Sequence, residues 1–364
     1  MIFYITFKDL YSTGYAGIRK KVIAQTKALE NKLGKLCVAF WCNQMAFLMQ
    51  EENVIEKRVA VTRKEYGNVL LFWIEKYNVD RTYVRYPLSD KFFLEFLKFQ
   101  KEKGIRTVLE IPTYPYDAEL PFGRLKGEDA YYREMVGEYV DVISTYSNDS
   151  EIWGKRCIRL VNGVDVEKIP FFHGKKENNK IILVAVGCME PWHGFERILE
   201  GMGNYYHAGG KRQVYFRLVG EGVELNRYRR EAECLEVQDY VEILGQKEGE
   251  DLTKCFYDTD IAIGSLGYYK NGIREGSPIK GAEYCARGLP MVLGYDDMRF
   301  PEKTPFVFRV PNDSSAIPID DIIKFHDHIA AQENYREKIR SYAVKYLSWD
   351  TVMEPVAEYF RERS

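Results

Sequence analysis

Histidine is scarce in this chain, with five among 364 residues. No clustered His/Cys ligands are present, which argues against a zinc site. The seven cysteines are odd in number and contain no C-x-x-C pair, so a disulfide framework is not expected and a reducing cytoplasm fits better. No apolar run approaches the length needed to span a bilayer. A signal peptide is not expected either, because the opening MIFYITF lacks a basic leading segment and runs straight into a turn. Neither sign of charge dominates: the formal net charge is −2, against the strongly basic domain of a dedicated nucleic-acid binder. The expectation is a cytoplasmic protein that at most rests peripherally on the inner face of the plasma membrane. Residues 1–64 carry eleven Lys/Arg against five Asp/Glu, which suits a surface facing anionic lipid or a phosphorylated acceptor, or simply solvated helix faces.

Hydrophobic content of 46% and charged content of 29% are ordinary for a globular enzyme, and the length allows two domains with separate cores. MIFYITF reads as a buried strand. The turn Ser12–Gly17 follows, then a long amphipathic helix with Ile18, Val22, Ile23, Thr26 and Leu29 on one face. Strand-like runs recur at KLCVAFW, NVIEKRVAV, RTYVRY, RTVLEIP and YVDVIST, and the stretch 89–104 reads as helix. After Asn162-Gly163-Val164-Asp165 the pattern restarts with IILVAVG, VYFRLVG, YVEILG, IAIGSL and PMVLG. Strands alternating with helices predict parallel sheets covered on both faces. The fold class is therefore α/β, with two tandem Rossmann-like doubly wound domains. The first spans 1–165 and is joined by a C-terminal helix at 347–364; the second spans 166–346. The charged stretch at Lys175–Asn178 and the following Asn179 suit the connection between them.

The most informative segment is NGIREGSPIKGAEYCARGLP, Asn271 to Pro290. It places Glu275 on a loop and Glu283 on the helix that follows. Ser277 is expected to cap that helix, Pro278 to open its first turn, and Gly288 with Pro290 to stop it. A helix N-terminus offers free amides and partial positive charge to a phosphate. Carboxylates on either side of a diphosphate can accept hydrogen bonds from ribose and hexose hydroxyls, so the ligand this layout fits is a nucleotide sugar. In parallel α/β sheets ligands bind beyond the carboxyl ends of strands. The turns Gly14–Gly17, Gly187–Gly194, Gly220–Gly222 and Arg274–Pro278 all fall at such ends, and a ligand touching all four would occupy a cleft between the domains.

With the Glu275/Glu283 pair and GAEYCARGLP, the NGVD tetrapeptide at 162–165, the VGCMEPWHGFERIL segment and the first glycine turn, the sequence resembles glycosyltransferase family 4. Those are retaining enzymes of the two-Rossmann GT-B fold. EIPTYPYDAE at 110–119 and WHGF at 192–195 are similar to bacterial enzymes that build capsular and other surface polysaccharides. The resemblance implies that Glu283 holds the donor ribose and that Glu275 orients the transferred sugar. It implies that the backbone at Gly276, Ser277 and Ile279 approaches the diphosphate near Lys280. It also implies that Gly14, Gly17 and Gly187 let backbone come close to the ligand. Where the family commonly has an arginine and then a lysine at the diphosphate, this chain has Cys188 and His193. Cysteine cannot supply that charge; His193 can act as a donor, and Lys280 or Arg274 can contribute charge.

The expected activity is a metal-independent, cofactor-free transfer of a hexose from a nucleotide-diphosphate sugar, with UDP the expected nucleotide, to a saccharide or lipid-linked saccharide acceptor. Arg85, Tyr114, Tyr116 and Asp117 follow strand ends in the first domain and are acceptor candidates, with aromatic loop packing as the plainer alternative. Asp258 and Asp260 lie before a strand, away from the ligand-binding end, and read as structural. His326 and His328 fall on different helix faces and suit no shared metal. Two other functions stay open. One is a sugar-nucleotide 2-epimerase, against which the poor stock of histidines counts. The other is a non-catalytic partner subunit, kept open by Cys188.

Overall fold

The computed structural model describes residues 1–117, 124–172 and 179–362. The chain forms two compact units, one of Met1–Val161 with Trp349–Ser364 and one of Asn162–Ser348. Lys175–Asn178, and Ala118 and Glu119 of the aromatic loop, lie outside the described residues.

The first unit is built on nine strands: β1 (Ile2–Ile5), β2 (Leu36–Cys42), β3 (Met45–Gln50), β4 (Asn53–Val59), β5 (Arg81–Arg85), β6 (Arg106–Ile111), β7 (Val142–Thr145), β8 (Glu151–Ile152) and β9 (Lys155–Arg159). Their order is β4-β3-β2-β1-β5-β6-β7-β9-β8. The run β2-β1-β5-β6-β7-β9 is parallel. Helices α1 (Ala16–Leu33), α2 (Arg63–Lys76), α3 (Lys91–Glu102) and α4 (Arg124–Tyr139) connect the strands. The closing helices Trp349–Val352 and Glu354–Arg361 return to α1. There Trp349, Met353, Val356 and Phe360 join Val22 and Leu29 in one apolar cluster.

A fully parallel sheet was expected here, and this is corrected. β3 pairs antiparallel with both β2 and β4, so NVIEKRVAV is a solvent-exposed edge strand. The reason is two consecutive two-residue turns. Asn43 and Gln44 have φ of 48° and 59°, and Glu51 and Glu52 have φ of 48° and 62°. Paired left-handed residues form the hairpin turn whose twist matches that of the strands. Neither turn contains glycine, which removed the usual sequence signal.

At the carboxyl ends of β5 and β6 lies a buried charge cluster. Glu110 is fully buried, and Arg85 Nη1 donates to its two oxygens at 3.0 and 2.9 Å. Tyr4 donates to Glu110 Oε2 at 3.1 Å, and Lys21 Nζ stands 3.7 Å from Oε1. Arg85 and Lys21 keep the Glu110 carboxyl below its usual range despite its burial. Burial brings Lys21 down to about 8, with Glu110 pulling the other way.

The second unit contains β10 (Lys180–Val186), β11 (Gln213–Val219), β12 (Val241–Ile243), β13 (Ile261–Ile263), β14 (Met291–Leu293) and β15 (Val307–Arg309). All are parallel, in the order β12-β11-β10-β13-β14-β15. Counted within the unit this is 3-2-1-4-5-6, the Rossmann order, whose ligand crevice falls where the order reverses, between β10 and β13. Its helices are α5 (Glu196–His207), α6 (Leu225–Cys234), α7 (Gly249–Lys254), α8 (Ile279–Ala286), α9 (Ile319–Ala330) and α10 (Tyr335–Tyr342).

Arg85→Ala is expected to lower stability by about 3–5 kcal/mol, because it leaves a buried carboxylate without its main counter-charge. Denaturant unfolding checks this, and a loss under about 1 kcal/mol would contradict a buried pair.

Candidate functional site

The second unit concentrates chemistry at the carboxyl ends of β10 and β13 and the start of α8. Ser277 does not cap α8. Pro278 takes the cap position with φ −62° and ψ 142°, and no side chain caps the helix. Proline before the first turn holds an extended ψ, so the earlier hydroxyl is carried away from the first amides. The cap residue itself offers those amides no side-chain acceptor. The Gly276 N–H is committed, because it donates to the Asp296 carbonyl at 2.9 Å. Ser277 contributes its carbonyl to Asn162 Nδ2, at 3.1 Å.

One buried ion pair sets the entry to α8. Arg299 and Asp297 are 5% and 2% exposed, and Arg299 Nε donates to Asp297 Oδ1 at 2.9 Å. The same guanidinium donates to the carbonyls of Pro278, at 2.7 Å, and Asn162, at 3.1 Å. The NGVD segment and the start of α8 are therefore fixed to one side chain. Further along the helix, the Tyr284 hydroxyl accepts from Val186 N at 3.1 Å, which ties α8 to the end of β10. Sequence reasoning missed Asp297 and Arg299. Their only signal was a charged doublet directly after an apolar strand, in YDDMRF.

Lys280, on the first turn of α8, reaches back over the end of β10. Its Nζ lies 3.0 Å from His193 Nε2. Both stand over Gly187, where a Cβ would lie 1.8 Å from the Lys280 ammonium. Gly187 is therefore required by close approach, and Gly220 fits beneath it, since a Cβ there would fall 1.8 Å from the Gly187 carbonyl oxygen. His193 closes the turn Pro191–His193 and is buried. Its Nδ1 accepts from Glu190 N at 3.2 Å, so the neutral ring carries its proton on Nε2. Burial and then Lys280 push its pKa down to about 4. Burial likewise lowers Lys280, opposed by Glu283. With its proton on Nε2 the ring donates to the Lys280 amine at 3.0 Å, and an anionic oxygen entering between them would accept from both Nε2–H and an ammonium. Cys188 is exposed beside them, with its thiol 3.4 Å from Glu190 Oε1.

Glu283 is half-buried one turn beyond Lys280, and Glu275 is exposed at the loop end, where its backbone bridges to Asp296. The second unit therefore brings together Gly187, His193, Gly276, Ser277, Ile279, Lys280 and Glu283, with Glu275 on the adjoining loop. The remaining candidates lie in the first unit. Gly14 sits in the turn Thr13–Tyr15 and Gly17 in the first turn of α1, where a Cβ would meet nothing within 4 Å. Among the acceptor candidates, Arg85 is committed to Glu110. Tyr116 is buried and donates to Asp129 at 2.8 Å. Both are framework residues of the core. Asp117 pairs with Arg133 at 2.8 Å, and Tyr114 packs edge-on against Trp153. Asp258 pairs with Arg217 at 2.7 Å, and Asp260 accepts from Ile182 N at 2.9 Å. No group of three or more metal-ligating side chains occurs among the described residues.

Residues 165–303 match the family model for glycosyl transferases group 1. No curated protein sequence matches the chain. Among solved structures, a glycosyltransferase from Rickettsia africae is 15% identical with a TM-score of 0.65, covering 99% of this chain and 97% of its own. HepE from Anabaena, in complex with UDP, is 11% identical with a TM-score of 0.62, covering 99% of each chain. WaaG, a glycosyltransferase involved in lipopolysaccharide biosynthesis, is 13% identical with a TM-score of 0.54, covering 100% of each chain. The chain has the two-domain GT-B fold of these proteins, and the family match supports glycosyl transfer.

The depressed His193 gives a testable pH dependence. Between about 4, its folded value, and 6.5, its ordinary value, the unfolded chain binds more protons than the folded one. Stability should therefore fall as pH drops through that window, by up to about 3 kcal/mol from this residue. Denaturant titrations of wild type and His193→Gln at pH 4 to 7 should show a shallower fall in the variant. Identical slopes would refute the buried neutral imidazole.

Proposed function

We propose that this protein is a retaining glycosyltransferase that moves a hexose from a nucleotide-diphosphate sugar to a saccharide or lipid-linked saccharide acceptor. The observation that carries the reading is the convergence of Lys280 Nζ and His193 Nε2, 3.0 Å apart, over the Gly187 floor at the start of α8. Two nitrogens over a glycine floor suit the oxygens of a departing diphosphate. UDP is the proposed nucleotide, supported by the complex formed by HepE. Surface-polysaccharide synthesis is the proposed setting, supported by the role named for WaaG.

The bond from the sugar C1 to the β-phosphate oxygen breaks while the acceptor hydroxyl oxygen bonds to C1 on the same face. The acceptor's proton passes to the departing phosphate oxygen. Negative charge builds on the diphosphate, where the ammonium, the imidazole N–H and the α8 amides are already aimed. An approaching phosphate also favours the charged form of Lys280, which burial disfavours. In this proposal these donors supply the charge compensation, and no metal or other cofactor is required. Glu283 holds the ribose and Glu275 orients the hexose. Acceptor binding falls to the first unit, with Gly14, Gly17, Tyr114 and Asp117 as the accessible candidates.

No helix among the described residues is long and apolar enough to cross a membrane. Peripheral membrane contact is proposed for the first unit. Tyr11 and Val59 are 44% and 69% exposed there, Arg19 lies over the Tyr11 ring, and Lys57 is exposed on the same edge strand as Val59.

Incubation with a panel of nucleotide sugars should release free nucleotide, faster when acceptor is added. Sugar isomerisation without release would favour an epimerase, and no turnover with any donor would favour an inert subunit. Glu283→Ala should weaken UDP binding by about 1–3 kcal/mol in calorimetry, whereas Glu275→Ala should slow turnover with little change in UDP affinity. Equal UDP affinity in Glu283→Ala and wild type would remove the ribose role. Gly187→Ala should strain the turn, whose φ is 156°, displace Lys280 and lower nucleotide affinity at least about tenfold, with circular dichroism separating lost affinity from lost fold.

A further inference from the structure

Behind the Glu275 loop lies a second polar cavity, of about 320 Å³, lined by Arg274, Tyr295, Asp296, Arg309, Val310 and Asn312. It opens at the carboxyl ends of β14 and β15, the ligand-binding end of the sheet. Among its lining residues, Arg309 Nη1 and Asn312 Oδ1 are buried without a protein partner. Buried polar atoms are nearly always paired, so two on the walls of one cavity call for non-protein partners, either water or ligand groups.

Their orientation is fixed. Arg309 Nη2 donates to the Phe300 carbonyl. Asn312 Nδ2 donates to the Ile273 carbonyl at 2.8 Å, which leaves the amide oxygen as the unpaired end. The wall beside them is anchored by Arg197, which is 1% exposed and donates to the Pro311 carbonyl at 2.9 Å and the Ser315 carbonyl at 2.7 Å. Arg274 brings a second, exposed guanidinium. Two guanidiniums select an oxyanion. The amide oxygen and the Asp296 carboxylate are acceptors, which an oxyanion alone cannot satisfy but hydroxyl groups can.

We propose that this cavity binds an anionic monosaccharide unit: a sugar carrying a phosphate or a carboxylate, its anionic group between Arg274 and Arg309 and its hydroxyls on Asn312 and Asp296. The cavity is built entirely by the second unit. Gly276 N donates to the Asp296 carbonyl at 2.9 Å, and Asp296 N donates to the Arg274 carbonyl at 2.8 Å. A ligand here therefore grips the loop that carries Glu275. Its influence on transfer rests on the function proposed above, but its binding does not.

The test titrates the full-length protein by calorimetry with glucose 6-phosphate, glucuronate, inorganic phosphate and glucose, with and without saturating UDP. Binding of glucose 6-phosphate or glucuronate should persist under UDP, and the arm that binds identifies phosphate ester or carboxylate as the anionic group. Arg309→Gln and Arg274→Gln should each weaken that binding at least about tenfold, with UDP affinity unchanged in Arg309→Gln. Arg274 is exposed, so its variant remains informative if Arg309→Gln fails to fold. The proposal is overturned if neither sugar binds under UDP, if binding survives both substitutions, if inorganic phosphate binds as tightly as the sugars, or if Arg309→Gln loses UDP affinity instead. Absent UDP binding by wild type would strike the transferase reading alone, since the sugar titrations would still report on this cavity.

Discussion

The second unit depends on the ion pair between Arg299 and Asp297. A buried guanidinium needs several acceptors at once, and this one finds them in a carboxylate two residues back and in the carbonyls of Pro278 and Asn162. Satisfying Arg299 brings together the start of the unit, the strand β14 exit and the entry to α8. Once α8 starts at Ile279, Lys280 points over Gly187 and Glu283 follows one turn later. The placement of Lys280 over Gly187 is thus a by-product of solving a buried-charge problem, and the same solution puts Pro278, which has no capping side chain, at the cap of α8.

Much of this was legible in the residues. Apolar strands alternating with amphipathic helices marked both α/β units, and the strand-loop-helix setting of Glu275 and Glu283 located α8. What stayed hidden has identifiable causes. Local propensity says nothing about which strand neighbours which, so the antiparallel β2-β3-β4 extension escaped notice once its turns used Asn-Gln and Glu-Glu instead of glycine. Charged residues near strands read as surface, yet Arg85, Glu110, Arg197 and Arg299 are buried because tertiary partners supply their acceptors. Arg85 and Tyr116 looked like ligand contacts for the same reason: the sequence shows their chemistry without showing who already uses it. Ser277 was taken for a cap because hydroxyls usually are, but the proline after it rotates the chain out of reach.

The departures at Cys188 and His193 also have a physical reading. A permanently charged guanidinium binds diphosphate by net charge. In the proposed function one neutral N–H and one partly desolvated lysine would share that task, so more of the attraction would develop as the anion arrives. Preorganisation comes from the glycine floor, which lets backbone, lysine and imidazole pack where any side chain would intrude.

The outer edge of the first unit has its own logic. A nine-stranded sheet ending in β4 exposes a row of unpaired backbone groups that could recruit further strands. The register shifts at Leu48 and Met49, and Lys57 and Arg58 sit in the middle of that border. A bulge twists the margin away from flatness and the cations repel a like neighbour, so further strand addition, and the fibrous assembly that would follow from it, is discouraged.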